Sequence, residues 1–331
     1  MTSYSTSTTL VIVESPAKCK KIEGFLGPGY RCVASFGHLR ELPSLNHIDI
    51  NNDFKPTFAV SDKKRKYVSS LRKAINESGE VILATDDDRE GEAIAWHICM
   101  IFDMNVATTK RIIFHEITEE AVTKAVLSPT RVNMDIVHAQ QTRQILDLVL
   151  GFKISPTLWK SVAHRGLSAG RCQTPALKLV YENQKEVNAS KGRQVYTNVG
   201  LFRIGSHVLS FDHNKEFETE DEIIEFYEQS AEYTHMFSCA APKNVSREPP
   251  TPLNTSRLQQ LSSNELKYSP KETMRLCQSL YEGGHITYMR TDSKKYAKDF
   301  LSQTESYIIK KFDKTYVNSD KSIQHLTNDK S

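Results

Sequence analysis

The sequence predicts an α/β parallel sheet of Rossmann-like architecture, followed by helical and small β-rich segments. Three observations lead there. Short apolar runs that read as strands alternate with helical patterns from residue 10 to residue 101, which is the signature of a parallel sheet with covering helices. An acidic cluster follows one of these runs directly and opens a helix, the place where open α/β folds put their ligands. Beyond residue 133 the pattern turns helical, then β-rich, then helical again.

Residues 1–9 are rich in Ser and Thr and read as a disordered tail, after which Leu10 to Val13 reads as a buried strand ending at Glu14. Ser15 can cap the next helix, Pro16 suits its first position, Ala17, Ile22, Phe25 and Leu26 give it an apolar face, and Gly27 stops it. Arg31 to Phe36 reads as a second strand. Residues 39–62, with their prolines, Asn51-Asn52 and Asp53, look like an excursion before a helix over Tyr67 to Ile75. The run Lys63-Lys64-Arg65-Lys66 at its start fits a nuclear-localisation signal or, as such runs usually prove, a solvated face. Val81 to Thr85 is a third strand, and Gly91 to Ile101 is a helix with Ile94, Ile98 and Ile101 at helical spacing. Asp135 to Leu150 and Gln173 to Lys185 read as helices. Residues 194–237 show short β-rich pieces, Val195 to Phe202 and His207 to Phe211, and Arg247 to Pro252 is a proline-marked joint. Residues 255–312 are helical again, interrupted by an extended piece, Gly283 to Arg290.

A chain of 331 residues, 39% of them apolar, can bury two or three cores. Its longest apolar runs fall far short of a membrane span and no signal-peptide pattern opens it, so a soluble, intracellular protein with no membrane partner is expected. The six cysteines show no CxxC pair, which excludes a zinc ribbon and fits a reducing compartment. Net charge is only +3, yet between Arg143 and Lys178 six Lys/Arg stand against Asp147 alone, a local excess able to neutralise phosphates.

Asp86-Asp87-Asp88-Arg89-Glu90-Gly91-Glu92 offers hard oxygen ligands, from Asp86, Asp88 and Glu90, in one short loop at the carboxyl end of a strand. That suits magnesium, which takes few carboxylates and keeps several waters. A merely solvated loop is the competing reading. A calcium loop of the helix–loop–helix kind is excluded, because a strand precedes the cluster and His97 stands at its twelfth position. Glu14 stands beside the cluster if the first and third strands are neighbours.

Glu14-Ser15-Pro16-Ala17-Lys18, Gly37-His38-Leu39 with Leu42-Pro43, and Ala84 through His97 together resemble the Toprim domain of topoisomerases and primases, and in detail the type IA topoisomerases. Gly284-His285-Ile286-Thr287-Tyr288-Met289-Arg290-Thr291-Asp292-Ser293 resembles the type IA active-site motif, with Tyr288 in the place of the nucleophile. A phenol of pKa about 10 is scarcely ionised at neutral pH, so its attack needs assistance. Arg290, two residues on, can share a face with it and grip one phosphate. Lys18 and Glu90 are candidates for the proton work at the leaving 3′ oxygen, and Glu14, Asp86 and Asp88 for holding magnesium. Exchanging one phosphodiester for another conserves the bond energy, and no GxxxxGK[ST] loop is present, so no nucleotide cofactor is expected.

Gln140 to Asp147, Gly151-Phe152, Ser155-Pro156, Leu158-Trp159-Lys160 and Gly166 to Pro175 also resemble type IA sequence, in stretches that hold single-stranded DNA in that family. The resemblance carries DNA contacts over to His38, Arg143, Gln144, Asp147, Phe152, Trp159, Ser168, Arg171 and Gln173. Cations and amides can hold a backbone, and aromatics offer a stacking face. Core packing is the competing reading for Phe152 and Trp159, and an i, i+4 ion pair for Arg143 and Asp147.

The implied division is a Toprim domain over 10–132, a helical single-stranded DNA-binding domain over 133–190, part of a β-rich arch over 191–250, and a helical domain with the nucleophile over 251–331. Type IA chains continue well past the tyrosine, whereas 43 residues follow Tyr288 here and lack the family's later motif. The expectation is therefore a truncated chain with uncovered apolar faces, impaired in cleavage or strand passage unless a separate polypeptide supplies the missing half. The implied activity is ATP-independent, magnesium-dependent breakage, passage and rejoining of single-stranded DNA through a 5′-phosphotyrosine, relaxing negatively supercoiled DNA. A non-catalytic single-stranded DNA-binding fragment and a Toprim primase are the alternatives, although no Cys/His zinc module precedes the Toprim region as a primase would suggest.

Overall fold

The computed structural model describes residues 8–162, 166–245, 247 and 250–317. The first seven residues of the expected tail, and the polar end from Asn318 with its His325, lie outside them. Two compact units arise, one from 1–171 together with 249–331, the other from 172–248.

In the first unit, β1 (Thr9–Val13), α1 (Pro16–Leu26) and β2 (Tyr30–Ala34) come first. Thr9, assigned from the sequence to the tail, belongs to the first strand. The excursion forms two short antiparallel ladders, β3 (Arg40–Glu41) with β6 (Ala59–Val60) and β4 (Ile48–Asp49) with β5 (Lys55–Pro56). Then come α2 (Arg65–Asn76), β7 (Glu80–Ala84), α3 (Arg89–Ile101), β8 (Lys110–Arg111), α4 (Glu119–Leu127) and α5 (Met134–Val162). The sheet is fully parallel in the order β2-β1-β7-β8.

Alternation decides where each β1 side chain goes. Val11 and Val13 pack with Ile22, Ile82 and Ala84 on one face, while Leu10 and Ile12 pack with Leu71, Leu83, Ile94 and Ile98 on the other. These four of the five β1 side chains are fully buried, Thr9 only partly. That explains an unbroken apolar run in place of alternation, each side chain being worth about 1.5–3 kcal/mol of burial.

Ser15 caps α1 by accepting from Ala17 N, Pro16 follows, and Gly27 ends the helix at φ +73°. The α5 helix passes beyond Leu150, where the sequence pattern fades, through Gly151 and Pro156 to Val162. The chain returns to this unit with α8 (Thr255–Leu266), α9 (Pro270–Glu282) and α10 (Lys298–Lys311). Between α9 and α10 runs an irregular segment bearing Tyr288, tied to the loop after β8 by a bond from Tyr288 N to His115 O of 2.6 Å.

The second unit holds α6 (Gln173–Ala189), an antiparallel hairpin of β9 (Val199–Ile204) and β10 (His207–Asp212), and α7 (Glu220–Ala231). The helix α7 corrects the reading of 194–237 as β-rich. Thr219 and Glu222 form a capping box at its start, Phe226 and Tyr227 pack it on Phe217, His213 and Asn198, and Ile223 is buried. No helix among the described residues is long and apolar enough to cross a membrane.

Candidate active site

Glu14 follows the last residue of β1, and Val13 pairs in register with Ala84 of β7, so the two strands deliver Glu14 and the Asp86 loop side by side at the sheet's carboxyl edge. Glu14 Oε1 accepts from Asp86 N at 2.9 Å. Asp88 caps α3 by accepting from Gly91 N at 2.8 Å. Only glycine fits at 91, since a Cβ there would lie 2.1 Å from the Asp86 carbonyl oxygen. Arg111, fully buried in β8, donates to that same carbonyl at 3.1 Å and pairs with Glu92 at 2.8 Å, fixing the loop from behind.

The tyrosine arrives from the other end of the chain. Gly284, at φ +70° and with Ile117 O only 2.9 Å from where a Cβ would stand, turns the chain sharply after α9. Thr255, the first residue of α8, accepts from Thr291 N at 2.9 Å and donates toward Met289 O at 2.8 Å, pinning the segment on both sides of Arg290. The result is specific: Tyr288 Oη donates to Asp88 Oδ2 at 2.5 Å, and Arg290 Nη1 lies 3.2 Å from the same oxygen. Tyr288 is buried and packs edge-on to Tyr281, but its hydroxyl faces the acids. Burial, then the bond to Asp88, pushes its phenol well above the usual range, so at rest it keeps its proton.

Glu14, Asp86, Asp88, Glu90, Tyr288 and Arg290 line one cavity of about 480 Å³. Lys18 is fully buried, paired to Asp86 Oδ1 with its ammonium 4.9 Å from the centre of the Tyr281 ring. Burial first, then the charge of Asp86, raises Glu14 to about 7, leaving it partly protonated at neutrality. Among the described residues no three His, Cys, Asp or Glu side chains stand as a finished metal cage. Asp88 is spent on the helix cap and on Tyr288 and Arg290, and Asp86 on Lys18. The donor set nonetheless fits a hard divalent cation, because Glu14, Asp86 and Asp88 bring only carboxylate oxygens to one cavity.

Glu90 opens on a second cavity of about 490 Å³, shared with His38, Gln140, Arg143, Gln144 and Asp147. His38 lies 3.0 Å and Gln140 3.1 Å from Glu90 Oε2, with Arg143 at 3.8 Å from Oε1. The His38 bond foremost, then Gln140 and the charges of His38 and Arg143, holds Glu90 below the usual carboxylate range. Arg143 and Asp147 meet only at 4.0 Å, whereas Arg171 holds Asp147 at 3.0 Å.

Phe152 and Trp159 lie farther along α5, 53% and 41% exposed, which removes the plain-core reading for both. Trp159 Nε1 donates to Leu167 O at 2.6 Å, next to the exposed Ser168. Gln173 begins α6 in the second unit.

Sequence reasoning missed Lys271, Arg275 and Gln278 of α9, which line the Tyr288 cavity at i, i+4 and i+7. That polar stripe was the available signal. His115, whose carbonyl holds Tyr288 and whose ring lies 3.5 Å from Asp87, had none.

Residues 9–117 match the Toprim domain family and residues 131–331 a DNA topoisomerase family. The chain is 39% identical over 326 residues to DNA topoisomerase 1 of Campylobacter jejuni, covering 94% of this chain and 46% of that protein. It matches the structure of full-length topoisomerase I from Thermotoga maritima with a TM-score of 0.76 and 35% identity, over 93% of this chain and 54% of that one. The chain thus spans about half the length of the relatives it matches. A tyrosine hydroxyl held on a Toprim aspartate, in a chain matched over most of its length by these two families, identifies it as a member of the type IA DNA topoisomerase family.

Proposed function

We propose that this chain carries the strand-cleaving chemistry of an ATP-independent topoisomerase acting on single-stranded and negatively supercoiled DNA. The observation that carries the reading is the Tyr288 hydroxyl 2.5 Å from Asp88, with Arg290 on the same oxygen, in a cavity shared with Glu14 and Asp86. Tyr288 Oη attacks a backbone phosphorus, a bond forms to the 5′ phosphate, and the bond to the 3′ oxygen breaks. Asp88 is placed to take the phenolic proton, and Arg290 to grip the phosphate oxygens as charge builds. A proton reaches the 3′ oxygen from Lys18 or through Glu90, and rejoining reverses each step. Glu14, Asp86 and Asp88 would hold magnesium, which when bound supplies charge stabilisation at the phosphate, above all for rejoining.

In the same reading residues 133–190 hold the single strand. His38, Arg143, Gln144, Asp147 and Arg171 flank the scissile phosphate, Phe152 and Trp159 meet the strand farther along α5, Ser168 meets it in the segment after that helix, and Gln173, in the second unit, is a further strand contact. Residues 191–250 contribute to an arch.

Incubation with labelled single-stranded DNA and magnesium, followed by denaturation, is expected to trap a covalent adduct that Tyr288→Phe abolishes while leaving reversible binding within a few-fold. An adduct that survives Tyr288→Phe, or none with the unaltered chain, removes the nucleophile assignment; reversible, salt-sensitive binding alone favours the non-catalytic reading.

A further inference from the structure

The Lys63–Lys66 run is not absorbed by the active site. It occupies the turn into α2, and α2 ends beside the first residues of β1 and β7, where Gly79 N bonds Thr8 O at 3.1 Å. The start of α2 therefore lies at the opposite, carboxyl edge of the sheet, the edge that bears Glu14 and the Asp86 loop.

Contacts tie the run to that edge. Ser61 N bonds Leu39 O at 3.1 Å, and Lys64 Nζ donates to Phe36 O at 2.6 Å, two residues before His38. Phe36 is 41% exposed and packs against Tyr67 with ring centres 4.3 Å apart and the planes tilted by 31°. Arg65 is neutralised by Asp62 at 2.8 Å. Lys63 and Lys66 are exposed and, among the described residues, have no ion-pair partner. Just before the run, β6 pairs with β3, whose Arg40 and Glu41 line the His38 cavity.

Two cations without ion-pair partners flank in sequence Lys64, which bonds Phe36 and lies over the Tyr67 ring, and together with the exposed Phe36 ring they have the make-up of a single-strand platform: charge for the backbone and a π-face for a base. We propose that Lys63 and Lys66, with Phe36, form a further contact surface for single-stranded nucleic acid next to the segment that carries His38. The choice of ligand rests on the function proposed above; the surface itself is new to it.

The test measures binding of the whole chain to a short and a long oligothymidylate across a range of salt. Each phosphate contact contributes about 0.7 to the slope of log affinity against log salt, so Lys63→Gln/Lys66→Gln is expected to lower the slope for the long oligomer by about 1.4, and for the short one by less. Phe36→Leu is expected to weaken binding of the long oligomer about fivefold or more at an unchanged slope. An unaltered slope in the lysine variant, or an unaltered affinity in Phe36→Leu, overturns the proposal and returns the run to a solvated face. Adduct trapping is run alongside with the unaltered chain. An adduct with an unaltered slope defeats this surface alone, and a slope change without any adduct defeats the cleavage reading alone.

Discussion

Asp88 concentrates three demands on one carboxylate. One oxygen caps a helix and the other receives a phenol and a guanidinium. Asp88→Asn keeps an oxygen for the cap but loses the charge and most of the basicity, so the adduct-forming rate should fall about 10²- to 10⁴-fold with the far-ultraviolet dichroism unchanged. His97 supplies a separate, structural prediction. Burial first, then the charges of Arg40 and His38, lowers its pKa to about 3, so it is neutral in the fold. The unfolded chain takes up that proton near pH 6.5 and the folded one only near 3. Its contribution is therefore complete above pH 6.5 and lost as pH falls through that window, at up to about 1.4 kcal/mol per pH unit. Urea midpoints taken from pH 7 down to 4 should fall more steeply for the native chain than for His97→Leu. Single residues were legible where a motif grouped them, and Tyr288, Arg290 and the Toprim acids do meet in one cavity. Gln140, Lys271 and Arg275 were not, because their place depends on which helix faces the cavity, and no local spacing encodes that.

At the scale of elements, the strand-to-helix junction at the acidic loop tolerates the least change. A methyl at position 91 meets backbone, not a side chain that can swing away. Gly91→Ala should cost about 1–3 kcal/mol and lower the melting midpoint by about 3–10 °C, with loss of adduct formation in proportion. Apolar runs ending in capping residues marked β1, α1, β7 and α3 in the sequence. The helix α7 escaped because its Thr219-x-x-Glu222 signal lies in a polar stretch that follows two strand-like pieces. The length of α5 was undercut by Gly151 and Pro156, residues that ordinarily end helices and here lie inside one.

Over the whole molecule, burial is uneven. The four-stranded sheet is covered on both faces, whereas the hairpin of the second unit leaves Leu201 71% and Val208 57% exposed, and α6 leaves Leu177 69% exposed. A two-stranded ladder with so little cover is marginal in water. Amide hydrogen exchange should find β1 and β7 protected near the global limit and β9 and β10 exchanging orders of magnitude faster; equal protection would contradict this distribution. Uncovered apolar faces were expected from the sequence, but which residues bear them was not legible, since exposure depends on what else meets a face.

The resting position of Tyr288 has one more effect. A ring enclosed on its flanks, with its oxygen already committed to a carboxylate, is a poor target for electrophiles that nitrate or acylate surface tyrosines. In the DNA-free protein this residue should stay unmarked while Tyr233 and Tyr316, each 70% exposed, react first. On the proposed function, the hydroxyl is thus kept under a safety catch, inert toward stray reagents until a phosphate reaches it and Asp88 takes its proton.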